Sequence, residues 1–194
     1  MIFDLGEVLS TPPGLFQSLA ACLSHSPEAV ETAYWEHREA YDRGGTATAF
    51  WSSLLTDLST PTTKDLASEL TGIDTVAWTT IRPDATALLR SLSKRGIRVG
   101  ILSNAPHEIA AAARETPWAA YISDWFFSAE LRLAKPDPAI YQHVTNQLHL
   151  PGEAVVFIDD RQVNVNAALS AGWNAHYWIS GADTAVLLQN LRIL

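Results

Sequence analysis

The sequence predicts a doubly wound (Rossmann-like) α/β fold, a parallel sheet core carrying an inserted all-helical unit. Three observations lead there. From Pro83 onward, short β-branched or aromatic apolar stretches alternate with helical ones. Residues 15–81 show helical periodicity and no convincing strand. Each of four expected strand ends runs into a polar residue able to do chemistry, and open α/β sheets bind ligands at that edge.

Residues 1–4 read as the end of a buried strand. Only three residues precede Asp4, which leaves open a clipped strand or a start further upstream. A turn-rich stretch with Gly6, Pro12, Pro13 and Gly14 follows. The helical stretch shows its periodicity at Phe16, Leu19, Ala20 and Leu23, then Val30, Tyr34, His37 and Tyr41, then Phe50, Leu54 and Leu58, then Leu66 and Leu70. Breaks at Pro27, Gly44-Gly45, Pro61 and Gly72 divide it into four or five helices, and Ser26-Pro27 fits an N-cap with proline at the first helical position. Strands are expected at residues 97–102, 125–128, 154–158 and 173–178. Helices are expected at 83–95, after Pro106, and at 138–150, 162–171 and 183–191. The core is therefore residues 1–14 and 82–194, and the helical insertion residues 15–81.

The bulk composition narrows the function classes. The 194 residues are 47% hydrophobic and 18% charged, as in a soluble globular protein. No apolar run approaches the roughly 20 residues of a membrane span, and no basic segment leads into an apolar stretch at the N-terminus. Cys22 is the sole cysteine, so no internal disulfide forms, which fits a cytoplasmic location. The net charge of −8 and the absence of a basic stripe argue against nucleic acid as partner. A small phosphorylated metabolite stays compatible, because a bound divalent cation reverses the local field of a carboxylate cluster. The oligomeric state is left open.

The strand ends collect an acid (Asp4), a hydroxyl and an amide (Ser103-Asn104), an amine (Lys135) and an acid pair (Asp159-Asp160). Asp4 can attack phosphorus and divide one hard step into two. Three carboxylates together call for a cation, and oxygen ligands suit Mg²⁺. Ser103 can donate to a phosphoryl oxygen, and Lys135 can neutralise phosphate and keep Asp4 ionised. Phosphoryl transfer is mostly positioning and charge stabilisation, so this set suffices for much of the reaction. Arg161 reads equally as a substrate contact or a salt-bridge partner. His107 lies on the same rim. Tyr34, His37, Tyr41 and Arg43 follow helical spacing that suits either packing or substrate contact.

The ordered set Phe-Asp4-Leu-Gly-Glu-Val-Leu, Leu-Ser103-Asn104, Lys135-Pro136-Asp137 and Phe-Ile-Asp159-Asp160-Arg161 resembles the haloacid dehalogenase superfamily over essentially the whole chain. The insertion resembles the helical cap of the subfamily with its cap between motifs one and two. The opening and closing motifs are similar to those of bacterial sugar-phosphate phosphatases, including the α-glucose-1-phosphate group. The resemblance implies Asp4 as nucleophile, Ser103 and Lys135 as phosphate ligands, and Asn104 as a shaper of the phosphate pocket. It implies Asp159 as a Mg²⁺ ligand, Asp160 as a ligand or its partner, and a Gly6 carbonyl directed at the metal. A metal-free 2-haloacid dehalogenase and a non-catalytic phosphate sensor or partner-binding protein are the competing readings.

One residue departs from that pattern. Most phosphatases of the superfamily carry a second Asp two residues after the nucleophile, which protonates the leaving alcohol. Here Gly6 stands in that place. The alternatives are an easier leaving group, a proton from the insertion (Glu36, His37, Glu39 or Asp42), or slow turnover. Glu7 is expected to point away, and Gly6→Asp is expected to raise activity toward alkyl phosphates.

Overall fold

The computed structural model describes residues 1–190, apart from the side chains of residues 182, 183, 185 and 187. Five parallel strands form one sheet in the order β3-β2-β1-β4-β5. They are β1 (Ile2–Phe3), β2 (Gly100–Ser103), β3 (Asp124–Phe127), β4 (Val156–Asp159) and β5 (Asn174–Tyr177). The central strand is the shortest. Ile2 and Phe3 pair with Gly100 and Ile101 on one side and with Phe157 and Ile158 on the other.

Side chains alternate across this sheet with the two-residue period of a strand. Phe3, Ile101, Phe127 and Ile158 pack on one face. Ile2, Leu102, Phe126 and Phe157 pack on the other, against Tyr141, Val144 and Val165 of helices α8 (Pro138–Leu148) and α9 (Gln162–Ser170). Both faces are covered, so the strands read in sequence as apolar runs rather than as alternation.

Four helices lie between β1 and α5 (Pro83–Lys94): α1 (Leu15–Leu23), α2 (Pro27–Asp42), α3 (Ala47–Asp57) and α4 (Lys64–Thr79). Ser26, Thr46 and Thr63 cap three of them, each accepting the backbone N–H three residues on. Their apolar faces do not form a separate core. Leu19, Val30, Tyr34, Trp51, Leu54 and Leu70 belong to the same cluster as Phe3 and Ile101.

The strand boundaries differ from expectation for local reasons. The second strand starts at Gly100 rather than at residue 97, because the Ile97 N–H still closes the α5 terminus on the Leu92 carbonyl, behind Gly96 at φ +71°. Ser128 opens the short helix α7 (Ser128–Leu131) instead of ending β3. Helix α6 (His107–Arg114) follows Pro106 as expected. The last helix, α10, runs Gly181–Asn190, and the expected end at Leu191 lies outside the described residues.

Gly100 is where β2 comes closest to its neighbours. A Cβ there would lie 2.7 Å from Ile2 Cδ1 and 3.1 and 3.2 Å from Asp124 Cβ and O. Gly100→Val is expected to cost about 1–3 kcal/mol through overpacking. Urea unfolding checks this, and a loss below about 0.5 kcal/mol, the usual size of a surface change, would show that Ile2 yields freely.

Candidate active site

The ends of three strands meet at one buried ammonium. Lys135 is 3% exposed, and its Nζ lies 3.0 Å from Asp4 Oδ2, 2.7 Å from Asp159 Oδ2 and 2.8 Å from the Leu102 carbonyl. Three donors meet three acceptors, so the ammonium is saturated. Burial pulls Lys135 down, but Asp159 and Asp4 outweigh it and hold the group above its ordinary value. Asn104 fixes the loop that brings Lys135 in. Its amide donates to the Lys135 carbonyl at 2.8 Å and accepts the Lys135 N–H at 2.9 Å.

Asp4 follows β1 directly. Its N–H extends the ladder to the Ile158 carbonyl at 2.9 Å, and its Oδ1 accepts the Leu5 N–H at 2.7 Å. Burial pushes Asp4 up to about 7, with Lys135 pulling down and Asp159 and Asp160 pushing up. Asp160 is also raised, first by burial and then by Asp159. Three carboxylates against one ammonium leave excess negative charge in a dry place. A hard cation relieves this, and Asp4, Asp159 and Asp160 can each offer an oxygen within 4.8 Å of one another.

Asp159 is fully buried, and its oxygens are occupied. Oδ1 accepts the Arg161 N–H and the Asn164 amide, and Oδ2 accepts Lys135 and Asn164. Asp160 faces the cleft instead. The geometry thus engages Asp159 in holding Lys135 and leaves Asp160 the carboxylate freer to meet a cation. The Gly6 carbonyl accepts the Val8 N–H at 2.7 Å and keeps a second lone pair.

A cleft of about 490 Å³ opens over these groups. Asp4, Gly6, Ser103, Asn104, Lys135, Asp160 and Arg161 line its floor; Trp35, Arg38, Glu39, Asp42, Arg43 and Trp78 line its roof. The volume lies within the usual range for a small-molecule site.

The haloacid dehalogenase-like hydrolase family matches residues 2–172 of this sequence. The chain belongs to that family. A sesquiterpene phosphatase of Aspergillus oryzae is 32% identical over 114 residues, 57% of this chain and 58% of its own. An (S)-2-haloacid dehalogenase of Burkholderia cepacia is 33% identical over 93 residues, 47% of this chain and 40% of its own. The chain thus spans about half the length of these curated relatives. A hydrolase of the same family from Bacteroides thetaiotaomicron, an Asp-to-Ala variant solved with magnesium and inorganic phosphate, superposes with a TM-score of 0.73 at 18% identity, covering 93% of each chain.

Most of the residues singled out from the sequence come together, and His37, His107, Tyr34 and Tyr41 do not. His37 leaves the cleft and bonds Asp57 at 2.7 Å across α2 and α3. His107 opens α6 and is absent from the lining. Asn104 lines the floor, but its side chain is spent on the Lys135 backbone rather than free for phosphate. Arg43 is in the roof, paired with Glu39 at 3.0 Å. Tyr34 and Tyr41 are buried packing residues. Glu7, expected to point away, lines the cleft. The reason is a left-handed backbone at φ 56°, with Arg82 donating to the carbonyls of Glu7 and Val8.

Arg38 and Asn164 were missed. Arg38 is 5% exposed and sits on the buried stripe Val30-Tyr34-Arg38-Tyr41, one residue out of phase with the reading that chose His37. It is tolerated there because Asp42 Oδ1 meets its Nε at 2.6 Å and Asp74 Oδ1 lies 3.6 Å from its Nη1. Tyr34, Tyr41 and Trp78 surround its guanidinium with ring faces, 5.1–5.8 Å to the centroids. The i, i+4 spacing to Asp42 was the available signal. Asn164 sits five residues past Asp159, where the next helical turn brings it back onto that carboxylate.

The place of the missing side chain at Gly6 is filled. A Cβ there would lie 3.2 Å from the Trp78 ring. Trp78 donates its Nε1–H to Tyr34 at 2.9 Å, and Tyr34 donates to Asp74 at 2.6 Å, so the indole is fixed. This close approach weighs against the expectation for Gly6→Asp, because the ring must give by a few tenths of an ångström to admit a Cβ. The substitution is expected to destabilise by about 1–3 kcal/mol and to leave alkyl-phosphate hydrolysis no faster. Thermal melts with initial-rate assays check it, and a faster variant of unchanged stability would show that Trp78 gives way.

Burial pushes both Asp42 and Asp74 up to about 6, with Arg38 opposing. Above the unfolded value of 3.8 the folded state therefore holds more protons than the unfolded chain. By linkage, this contribution to stability is present at low pH and is lost as pH rises from about 4 through about 6. Urea midpoints across that window are expected to fall less steeply for Asp74→Asn than for wild type. An unchanged slope would remove Asp74 as a source.

Proposed function

We propose that this protein is a Mg²⁺-dependent phosphatase that cleaves a small phosphorylated metabolite, of sugar-phosphate type, through an aspartyl phosphate on Asp4. The observation that carries this reading is the meeting of Asp4, Lys135, Ser103 and Asp160 at one strand edge, beneath the helices that line the cleft. Mg²⁺, held by Asp4, Asp160, the Gly6 carbonyl and the more engaged Asp159, would supply charge neutralisation at the phosphoryl oxygens and keep Asp4 ionised. Asp4 is then positioned to attack phosphorus. Ser103 donates to a phosphoryl oxygen from the end of β2. Lys135 anchors Asp4 and contributes its positive charge. Arg161, on the rim, can meet an outer oxygen of the substrate.

The acid cluster favours this reading over a 2-haloacid dehalogenase, whose name two of the relatives carry. Burial, and after it Asp159 and Asp160, push Asp4 toward its protonated, non-nucleophilic form against the pull of Lys135, and a cation would reverse this. Trp35, 49% exposed at the cleft, offers a ring face suited to the apolar side of a sugar.

Phosphate release from a panel of sugar 1- and 6-phosphates, nucleotides and acyl phosphates tests the proposal. Activity is expected with Mg²⁺ and loss to background with a chelator. Asp4→Asn is expected to be inactive throughout. Full activity of that variant, or chloride release from 2-chloropropionate without phosphate release, would overturn the reading.

A further inference from the structure

We propose that Asp42 protonates the leaving oxygen and later deprotonates water, in place of the side chain that Gly6 lacks; this rests on the phosphatase reading above. Asp42 ends α2, and its carbonyl accepts the Ser128 hydroxyl at 2.5 Å. The same Ser128 oxygen accepts the Ala105 N–H at 2.9 Å. One serine thus ties Asp42 to the Ser103-Asn104-Ala105 turn that lines the phosphate floor. Arg38 Nε takes Asp42 Oδ1 at 2.6 Å, which leaves Oδ2 for the cleft that both residues line.

Arg38 is 5% exposed and lines the cleft beside Asp42. Its Nη1 makes no hydrogen bond among the described residues and lies 3.6 Å from Asp74 Oδ1, so that end of the guanidinium pairs with Asp74. Its Nε end is what orients the Asp42 carboxyl at the cleft.

The other acids fit less well. Asp74 is 1% exposed and bonded to Tyr34, away from the cleft. Glu39 has a side chain 79% exposed and paired with Arg43. Glu36 and His37 do not line the cleft. Glu7 stands on the Asp160 side and is the remaining competitor. The charged groups acting on Asp42 are Arg38 and Glu39 from its own helix and Asp74 from α4. Burial outweighs Arg38 among them, so a fraction of Asp42 is protonated near neutral pH, as a general acid requires.

The steps balance. Asp4 attacks phosphorus, the ester P–O bond breaks with its electron pair on the leaving oxygen, and Asp42 gives that oxygen its proton. Water then attacks the phosphorus of the aspartyl phosphate, Asp42 takes the proton from water, and the bond to Asp4 breaks to return its carboxylate and release phosphate.

The test uses the full chain with Mg²⁺ and two esters, glycerol phosphate with a poor leaving group and p-nitrophenyl phosphate with a good one. Asp42→Asn is expected to lose about 10²–10⁴-fold on glycerol phosphate. On p-nitrophenyl phosphate it is expected to give a stoichiometric burst of p-nitrophenolate and then slow turnover. The alkaline limb of the wild-type kcat profile on glycerol phosphate is expected to vanish. Asp42→Glu, which keeps an acid beside Arg38, is expected to restore part of the rate and to shift that limb, and it carries the test if the Asn variant does not fold. A p-nitrophenyl phosphate reaction with no burst, or a leaving-group-selective loss in Glu7→Gln instead, would overturn the assignment. Phosphate release from neither ester by wild type would defeat the phosphatase reading itself, and this inference with it.

Discussion

The buried ammonium of Lys135 is the constraint around which the catalytic edge is arranged. It binds the carboxylate after β1, the last residue of β4 and a carbonyl of β2, so three strand ends share one charge. Such a charge is tolerable only when fully paired, and removing a partner would leave another buried and exposed to the full desolvation cost. Asn104 and Asn164 serve this arrangement from either side, one clamping the lysine's backbone and the other the aspartate it binds. The rigidity of the floor follows from these bonds more than from β1, which has only two residues in the ladder.

The roof repeats the same principle with the same sign. Arg38 is a buried cation between two carboxylates, Asp42 and Asp74, and inside a ring of aromatic faces. Tyr34 and Trp78 extend the network to Gly6. The lost side chain on the floor and the indole in the roof are thus complementary.

Much of the floor was legible in the sequence. Asp4, Ser103, Lys135 and Asp160 each follow an apolar strand, and topology alone gathers strand ends at one edge. The roof was not legible, because its content depends on helix phase and on partners far away in the chain. Shifting the α2 stripe by one residue replaced Arg38 with His37. Nothing local to Arg38 announces Asp74, 36 residues on, which completes its neutralisation. Glu7 was misjudged for a related reason. Its left-handed backbone is held by Arg82, which lies 75 residues away. Ser128 read as the last residue of a strand and proved to be the link between sheet edge and roof.

That link bears on spacing. The hydroxyl of Ser128 and the Tyr41–Glu108 hydrogen bond at 2.9 Å join the helices above the cleft to the elements below it. These polar contacts, beside the shared apolar core, set where the end of α2 stands over the strand ends. The proposed nucleophile and the proposed proton donor thus sit on different elements, and their separation depends on a serine that belongs to neither.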